Sequence, residues 1–389
     1  MLGAHGDVPE RNGVEKDDEM TIKLGMFAMP VHAPGKDYRT SLREDQETVI
    51  LADKLGFSEY YVGEHHTSGI ETVTNPLIFL ASVASLTKNI RLGSGVLNLP
   101  QMHPVAVASN IAMLDHLTDG RYIFGGGPGT LVTDVEAFGS IPVDVRNRMV
   151  KESMDFVHKL WASEPPIELK GEFWNISIKD KVIPEFRVGW MPKPAQLPHP
   201  PIALTMVSPQ SATAKVAGAQ GWIPISANFV NKRYLKGHWQ SYAEGCESVG
   251  KVADPSVWRV ARCCLVTETD AEAEDYIADP DTGLAFYYSF MRHIAKAGRG
   301  AMFMLKPDLE LSDDETTVDK ILPAQVIYGS PKTVVEKLVA LREEIGHFGT
   351  LIMTSHDWDR PTMWKRSMEL MANEVIPQFS VHAEAPVMA

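Results

Sequence analysis

Cysteine is scarce: the chain of 389 residues holds three, Cys246, Cys263 and Cys264. An odd number without CxxC spacing sets up neither a disulfide framework nor a zinc site, and it suits a reducing cytoplasm. No apolar run reaches the roughly 18–20 residues that span a bilayer. Residues 1–20 are polar and acidic and lack the apolar core of a secretory signal, so they are expected to form a mobile extension. Positive charge is also short: 37 Lys and Arg stand against 50 Asp and Glu, a net charge of −13. That balance argues against a nucleic acid or an anionic membrane as partner. It leaves room for a small anion, which one Arg and a few backbone N–H groups can hold. A Walker loop, a GxSxG elbow and an HExxH pair are missing, and no GxGxxG follows the first strand-like run. No metal site is expected.

What is present is alternation. Hydrophobic residues make up 44% of the chain, enough to fill a sizeable core. Thr21–Met29 reads as a strand, and Ser41–Leu55 as a helix with Leu42, Val49, Ala52 and Leu55 near one face. Gly56 is a suitable stop. Glu59–Glu64 is a second strand, after which Asn75-Pro76 supplies a helix N-cap and first-turn proline. Ile90–Leu99 is apolar on both faces, as in a parallel sheet. Helix Val105–Leu117, strand Arg121–Gly125 and helix Val145–Trp161 follow, then the proline-rich insertion Pro165–Pro200. Pro201–Val207, Gly221–Ala227 and Trp258–Glu268 read as strands five to seven, and Asp279–Pro323 as a second, irregular insertion. Ser330 is expected to cap a helix that ends at Gly346; Gly349–Ser355 is the eighth strand and Trp364–Val375 the closing helix. Eight strands, each followed by helical sequence, predict an α/β fold, a (β/α)8 TIM barrel with insertions after strands 4 and 7. A doubly wound sheet is the rival. The expected boundaries are a single domain over 21–379 and a tail over 380–389.

Barrel active sites lie at the C-terminal ends of the strands, and that rule selects residues. Strand two ends in Glu64-His65-His66, where an imidazole can hold or move a proton near neutral pH. Neighbours on a strand point in opposite directions, so one histidine is expected to face the cavity; a capped strand end with a buried histidine is the competing reading. Strand three runs through Gly93-Ser94-Gly95 with His103 close behind. Gly125–Gly129 lets a backbone approach a flat or anionic ligand. Val207-Ser208-Pro209-Gln210-Ser211 leads into a helix and is either a phosphate cradle or an ordinary cap. Arg148 could clamp a phosphate; a solvated helix face is the competing reading and the preferred one for Arg146. His356-Asp357 is either a catalytic pair or a helix start.

At Gly63-Glu64-His65-His66, Asn75-Pro76, Ile90–Pro100, His103-Pro104, Leu114-Asp115 and Asp119–Gly125, in that order and spacing, the chain resembles the bacterial-luciferase-like flavin-dependent monooxygenases, over about Lys23 to Gln378. Phe348-Gly349-Thr350-Leu351 with His356-Asp357-Trp358 is similar to the limonene monooxygenase-like branch. The resemblance implies reduced FMN supplied by a separate flavin reductase, O2 as co-substrate and a C4a-(hydro)peroxyflavin that gives one oxygen atom to an apolar, cyclic or terpenoid substrate. It implies His65 as the catalytic residue, with Glu64, Gly95, Val96, Gly127, Arg148, Val207, Ser208 and Ser211 around the cofactor. Gly95-Val96 matches a position where a cis peptide supports the flavin ring, and a homodimer is implied. The chain departs from the luciferase catalytic subunit at Gly127-Pro128, where that subunit has Cys-Arg, and at Val207, where it has an acid; light emission is not expected. A deazaflavin-dependent dehydrogenase and a non-catalytic flavin-binding paralogue are the alternative functions.

Overall fold

The computed structural model describes residues 22–29, 31–297 and 301–384, the last three by their backbone. The expected extension over 1–20 and residues 385–389 of the expected tail lie outside the described residues.

Eight parallel strands form one ring: Lys23–Ala28, Glu59–Val62, Arg91–Ser94, Tyr122–Gly127, Ile202–Met206, Ile223–Ser226, Arg259–Arg262 and Thr350–Ser355. Each pairs with its sequence neighbours, and the first pairs with both the second and the eighth. Leu92 beside Tyr122 and Gly93 beside Ile123 complete the circuit. A closed ring leaves no open sheet edge. The fold is the expected (β/α)8 barrel.

Two apolar volumes hold it. Phe27, Tyr61, Ile123, Ala203, Ile225, Ala261 and Ile352 pack against one another inside the ring. Beneath them Arg259 donates from Nε and Nη2 to Glu59, at 2.9 and 3.1 Å. The larger core lies between ring and helices. Helix Pro331–Ile345 shows why: Val334, Leu338, Leu341 and Ile345 recur at helical spacing, and all are buried. Gly346 ends it at φ +97°, a conformation that favours glycine. Asn75 accepts the Ile78 N–H at 3.1 Å and Pro76 opens helix Pro76–Ala84, as its sequence predicts. Among the described residues, no helix is long and apolar enough to cross a membrane.

Four expectations need correction. The run Ile90–Leu99 is not one strand: it breaks after Ser94, resumes for Leu97–Asn98, and the Gly95–Val96 peptide is cis. Trp258–Glu268 also divides, because Cys264–Val266 leaves the ring to pair with Ile327–Gly329. The span Asp279–Pro323 is less irregular than expected, since it contains helix Gly283–Ala297. Ser330 does stand at the N-cap position, with Pro331 first in the helix, but its side chain makes no capping bond; its Oγ meets Thr333 instead. The insertion after strand four carries an antiparallel hairpin, Ile167–Lys170 with Asn175–Ile178.

Candidate active site

At the C-terminal rim the ring opens into a cavity of about 330 Å³. Its floor is the top of the barrel interior: Phe27, Ile225 and Ala261 belong to both. Glu64, His65, Gly95, Val96, Gly127, Val207, Ser208 and Ser211 all line it. With Met29 and Phe229, which also line it, the ends of six strands and the loops that follow them converge on one space, as barrel geometry requires.

One wall is backbone. Gly63, the Gly95–Val96 peptide and Gly126-Gly127 present main chain to the cavity. A Cβ on Gly95 would come within 2.7 Å of the Phe27 ring, and one on Gly127 within 2.7 Å of Val96. Only glycine allows these segments to close up and leave a flat wall.

His65 is held from two sides. Its backbone N–H donates to Val73 O at 3.2 Å, and its Nδ1 lies 2.7 Å from Glu71 Oε2. Burial opposes charge on the ring, but the Glu71 carboxylate outweighs it and holds His65 above the ordinary histidine range. Nε2 is left as the nitrogen available to the cavity. His66 turns the other way, beside the Phe138 ring. The backbone N–H groups of His66 and Thr67 donate to the Asp134 carboxylate at 2.9 and 2.8 Å, which pins the loop. Glu64 is buried; burial pushes its carboxyl up to about 7, against the Asn98 N–H that donates to it at 2.6 Å. The cavity thus holds two titratable groups, each shifted upward from its ordinary range.

At the far end stands helix Ala212–Gln220. Ser211 caps it, accepting the Ala214 N–H at 3.2 Å. Ser208, Ser211 and Thr213 line the cavity here, and the helix start turns its partial positive charge toward them. Hydroxyls, N–H groups and dipole form a donor set suited to a phosphate. A flat glycine wall with an anion end fits a flavin mononucleotide.

Arg148 is not brought to the cavity. It lies on the exposed side of helix Val143–Ala162, 3.0 Å from Glu172 and 3.5 Å from Asp144. Those acids satisfy it at the surface, so the solvated-face reading holds for this residue. Arg146 donates to Ile141 O at 2.7 Å, and His103 caps helix Pro104–Leu117. His356 and Asp357 do not form a pair. Burial alone pushes His356 down to about 3, among the Tyr287 and Trp364 rings. Asp357 serves His32 and Lys36, each at 2.6 Å. Burial works against charge on His32, yet Asp357 and Asp45 raise it to about 9. His32, Glu44 and Asp357 lie close enough to hold an ion, but Lys36 reaches both carboxylates and supplies the cation there.

Sequence reasoning missed Glu71 and Asn98. Asn98 stands inside a quoted motif, and its amide also donates to Glu64 O at 3.2 Å. Glu71 follows the two histidines by one short loop, and an acid at that remove was the available signal.

Comparison with known proteins agrees with this geometry. Limonene 1,2-monooxygenase from Rhodococcus erythropolis is 31% identical over 369 residues, 94% of this chain and 88% of that protein. The oxygenating constituent of 3,6-diketocamphane monooxygenase from Pseudomonas putida, solved with FMN, superposes with a TM-score of 0.83 at 28% identity, covering 92% of this chain and 98% of that one. The oxygenase component of flavin-dependent trigonelline monooxygenase from Acinetobacter baylyi is 24% identical over 86% of this chain and 89% of that protein. Fold, site and relatives together define a flavin-dependent monooxygenase. The chain belongs to the luciferase-like monooxygenase family, which it matches over residues 22–347.

Proposed function

We propose that this chain is the oxygenase half of a two-component system. It takes reduced FMN from a separate flavin reductase and inserts one atom of O2 into an apolar, cyclic or terpenoid substrate. The His65–Glu71 pair, facing a cavity with a glycine wall and an anion end, carries the reading. The relative named as an oxygenase component supports the separate reductase. Those named for limonene and diketocamphane support the substrate class, and monooxygenation over hydride transfer.

Bound FMN would supply two electrons, so that one oxygen atom enters the substrate and the other leaves as water. Ser208 and Ser211, with the N–H groups beginning helix Ala212–Gln220, would hold its phosphate. The Gly95–Val96 peptide, Gly127, Val207 and Glu64, which line the same cavity, would hold the rest of the cofactor. Arg148 is left out of this set. Phe27, Met29, Val73 and Phe229 offer the substrate an apolar surface and keep water away. His65, protonated beside Glu71, would hold a proton at Nε2 and give it to the departing oxygen.

A single barrel domain over 21–379 and a cytoplasmic homodimer belong to the same proposal. The exposed apolar side chains Ile78, Met113 and Leu117 support the dimer reading.

The test is anaerobic loading with reduced FMN, then rapid mixing with O2. We expect a transient absorbance distinct from both reduced and oxidised flavin, and product that needs His65. His65→Ala should bind FMN yet form no product. Flavin that reoxidises as it does free in solution, or full turnover in His65→Ala, would contradict the proposal.

A further inference from the structure

A chain of buried side chains lies behind the anion end, outside the cavity. Trp258 Nε1 donates to Ser226 Oγ at 3.0 Å; Ser226 Oγ is 3.0 Å from His238 Nδ1; His238 Nε2 is 2.9 Å from Ser208 O. All three side chains are fully buried. Their chemistry permits one direction of donation. A carbonyl oxygen only accepts, so the proton of His238 is on Nε2. Nδ1 then only accepts, so the Ser226 hydroxyl donates to it, while its oxygen accepts the indole N–H. Burial pushes His238 down to about 4, so at neutral pH the ring is uncharged and this tautomer is fixed.

The relay ends on a main-chain atom of the loop that carries Ser208 and Ser211. Helix Leu235–Glu247 presses on the next carbonyl of that loop too: a Cβ on Gly237 would lie 2.7 Å from Pro209 O. Two successive carbonyls are therefore turned toward this helix. A carbonyl oxygen repels an anion, whereas an N–H attracts it. Turning both oxygens backward leaves the hydroxyls and the helix N–H groups to face the cavity.

We propose that His238 is a positioning residue for the phosphate end: it ties the Ser208 carbonyl away from the anion and so fixes the polarity of the cradle. This inference rests on the reading that Ser208 and Ser211 receive the FMN phosphate. The probes are reduced FMN and reduced riboflavin, which differ by that phosphate, titrated anaerobically. His238→Leu should bind reduced FMN roughly tenfold more weakly, the size of one ordinary hydrogen bond, and bind riboflavin as the wild type does. His238→Gln can place an amide N–H on Ser208 O and should recover most of the loss. Where His238→Leu does not fold, Ser226→Ala serves and should give a smaller loss of the same phosphate-specific kind. Equal weakening of both flavins, or of neither, overturns the role of His238. A wild type without preference for FMN, or a Ser208→Ala variant that keeps the full preference, overturns the phosphate reading beneath it. A preference lost in Ser208→Ala but kept in His238→Leu overturns the His238 inference alone.

Discussion

Of the carboxylates that raise His65 against its burial, Glu71 does most, with Asp134 and Glu64 adding to it. Replacing Glu71 with Gln keeps the shape and removes the charge that does most to offset burial. The histidine then falls toward or below its ordinary range, since burial alone lowers it. Any step that needs protonated His65 fades as pH rises through its pKa. The alkaline limb of the turnover profile in Glu71→Gln should therefore move to lower pH, with FMN affinity little changed. An unmoved limb would show that Glu71 does not set the acidity of His65. At this scale the sequence was legible where chemistry and chain position coincide. Glu64, His65, Gly95, Ser208 and Ser211 were all marked by their place at strand ends. Arg148 was not, because its acidic partner Glu172 follows from the hairpin fold and not from the helix sequence.

Elements were legible where their period is clean. Helix Pro331–Ile345 declares itself, but helix Gly283–Ala297 was hidden in a run rich in Phe and Tyr. Its buried Leu284, Tyr287, Tyr288, Met291 and Ala295 do follow helical spacing, and that count was the missed signal. The divided strands were less accessible. Cys264–Val266 changes partner without changing composition, and a partner distant in sequence leaves no local trace. Asp134 is another long-range device: it lies in the short helix Val132–Ala137 and joins it to the loop after strand two. Its carboxylate is buried, so Asp134→Ala orphans two N–H groups at a cost of about 1–3 kcal/mol. Urea unfolding of the free protein should show that loss; an unchanged midpoint would mean the loop holds without it.

Across the whole molecule, buried histidines set opposing pH responses. His238 and His356 are depressed to about 4 and about 3. The unfolded chain therefore takes up protons below about 6.5 while the native chain does not, and stability falls as pH drops toward 4. His32 is raised to about 9; its contribution is complete below about 6.5 and is lost as pH rises through 9. Glu64, raised to about 7, favours the native state on the acid side and loses that as pH rises from about 4.5 to 7. The two depressed histidines outweigh it below 6.5. Thermal unfolding of the flavin-free protein should be most resistant near pH 6.5. His238→Gln should flatten the acid side selectively; an acid side as steep as in the wild type would remove His238 from this account.

Phe27, Ile225 and Ala261 fill the barrel and also bear the cavity contents. Laboratory evolution toward a new substrate meets an uneven landscape as a result. Changes in this layer alter the packing of every strand they touch, so variants there will be lost to misfolding before selectivity is sampled. Met29, Val73, Thr130 and Phe229 stand on the connecting segments above the ring. Libraries confined to those positions should yield more soluble variants, and a wider spread of accepted substrates, than libraries of equal size in the floor.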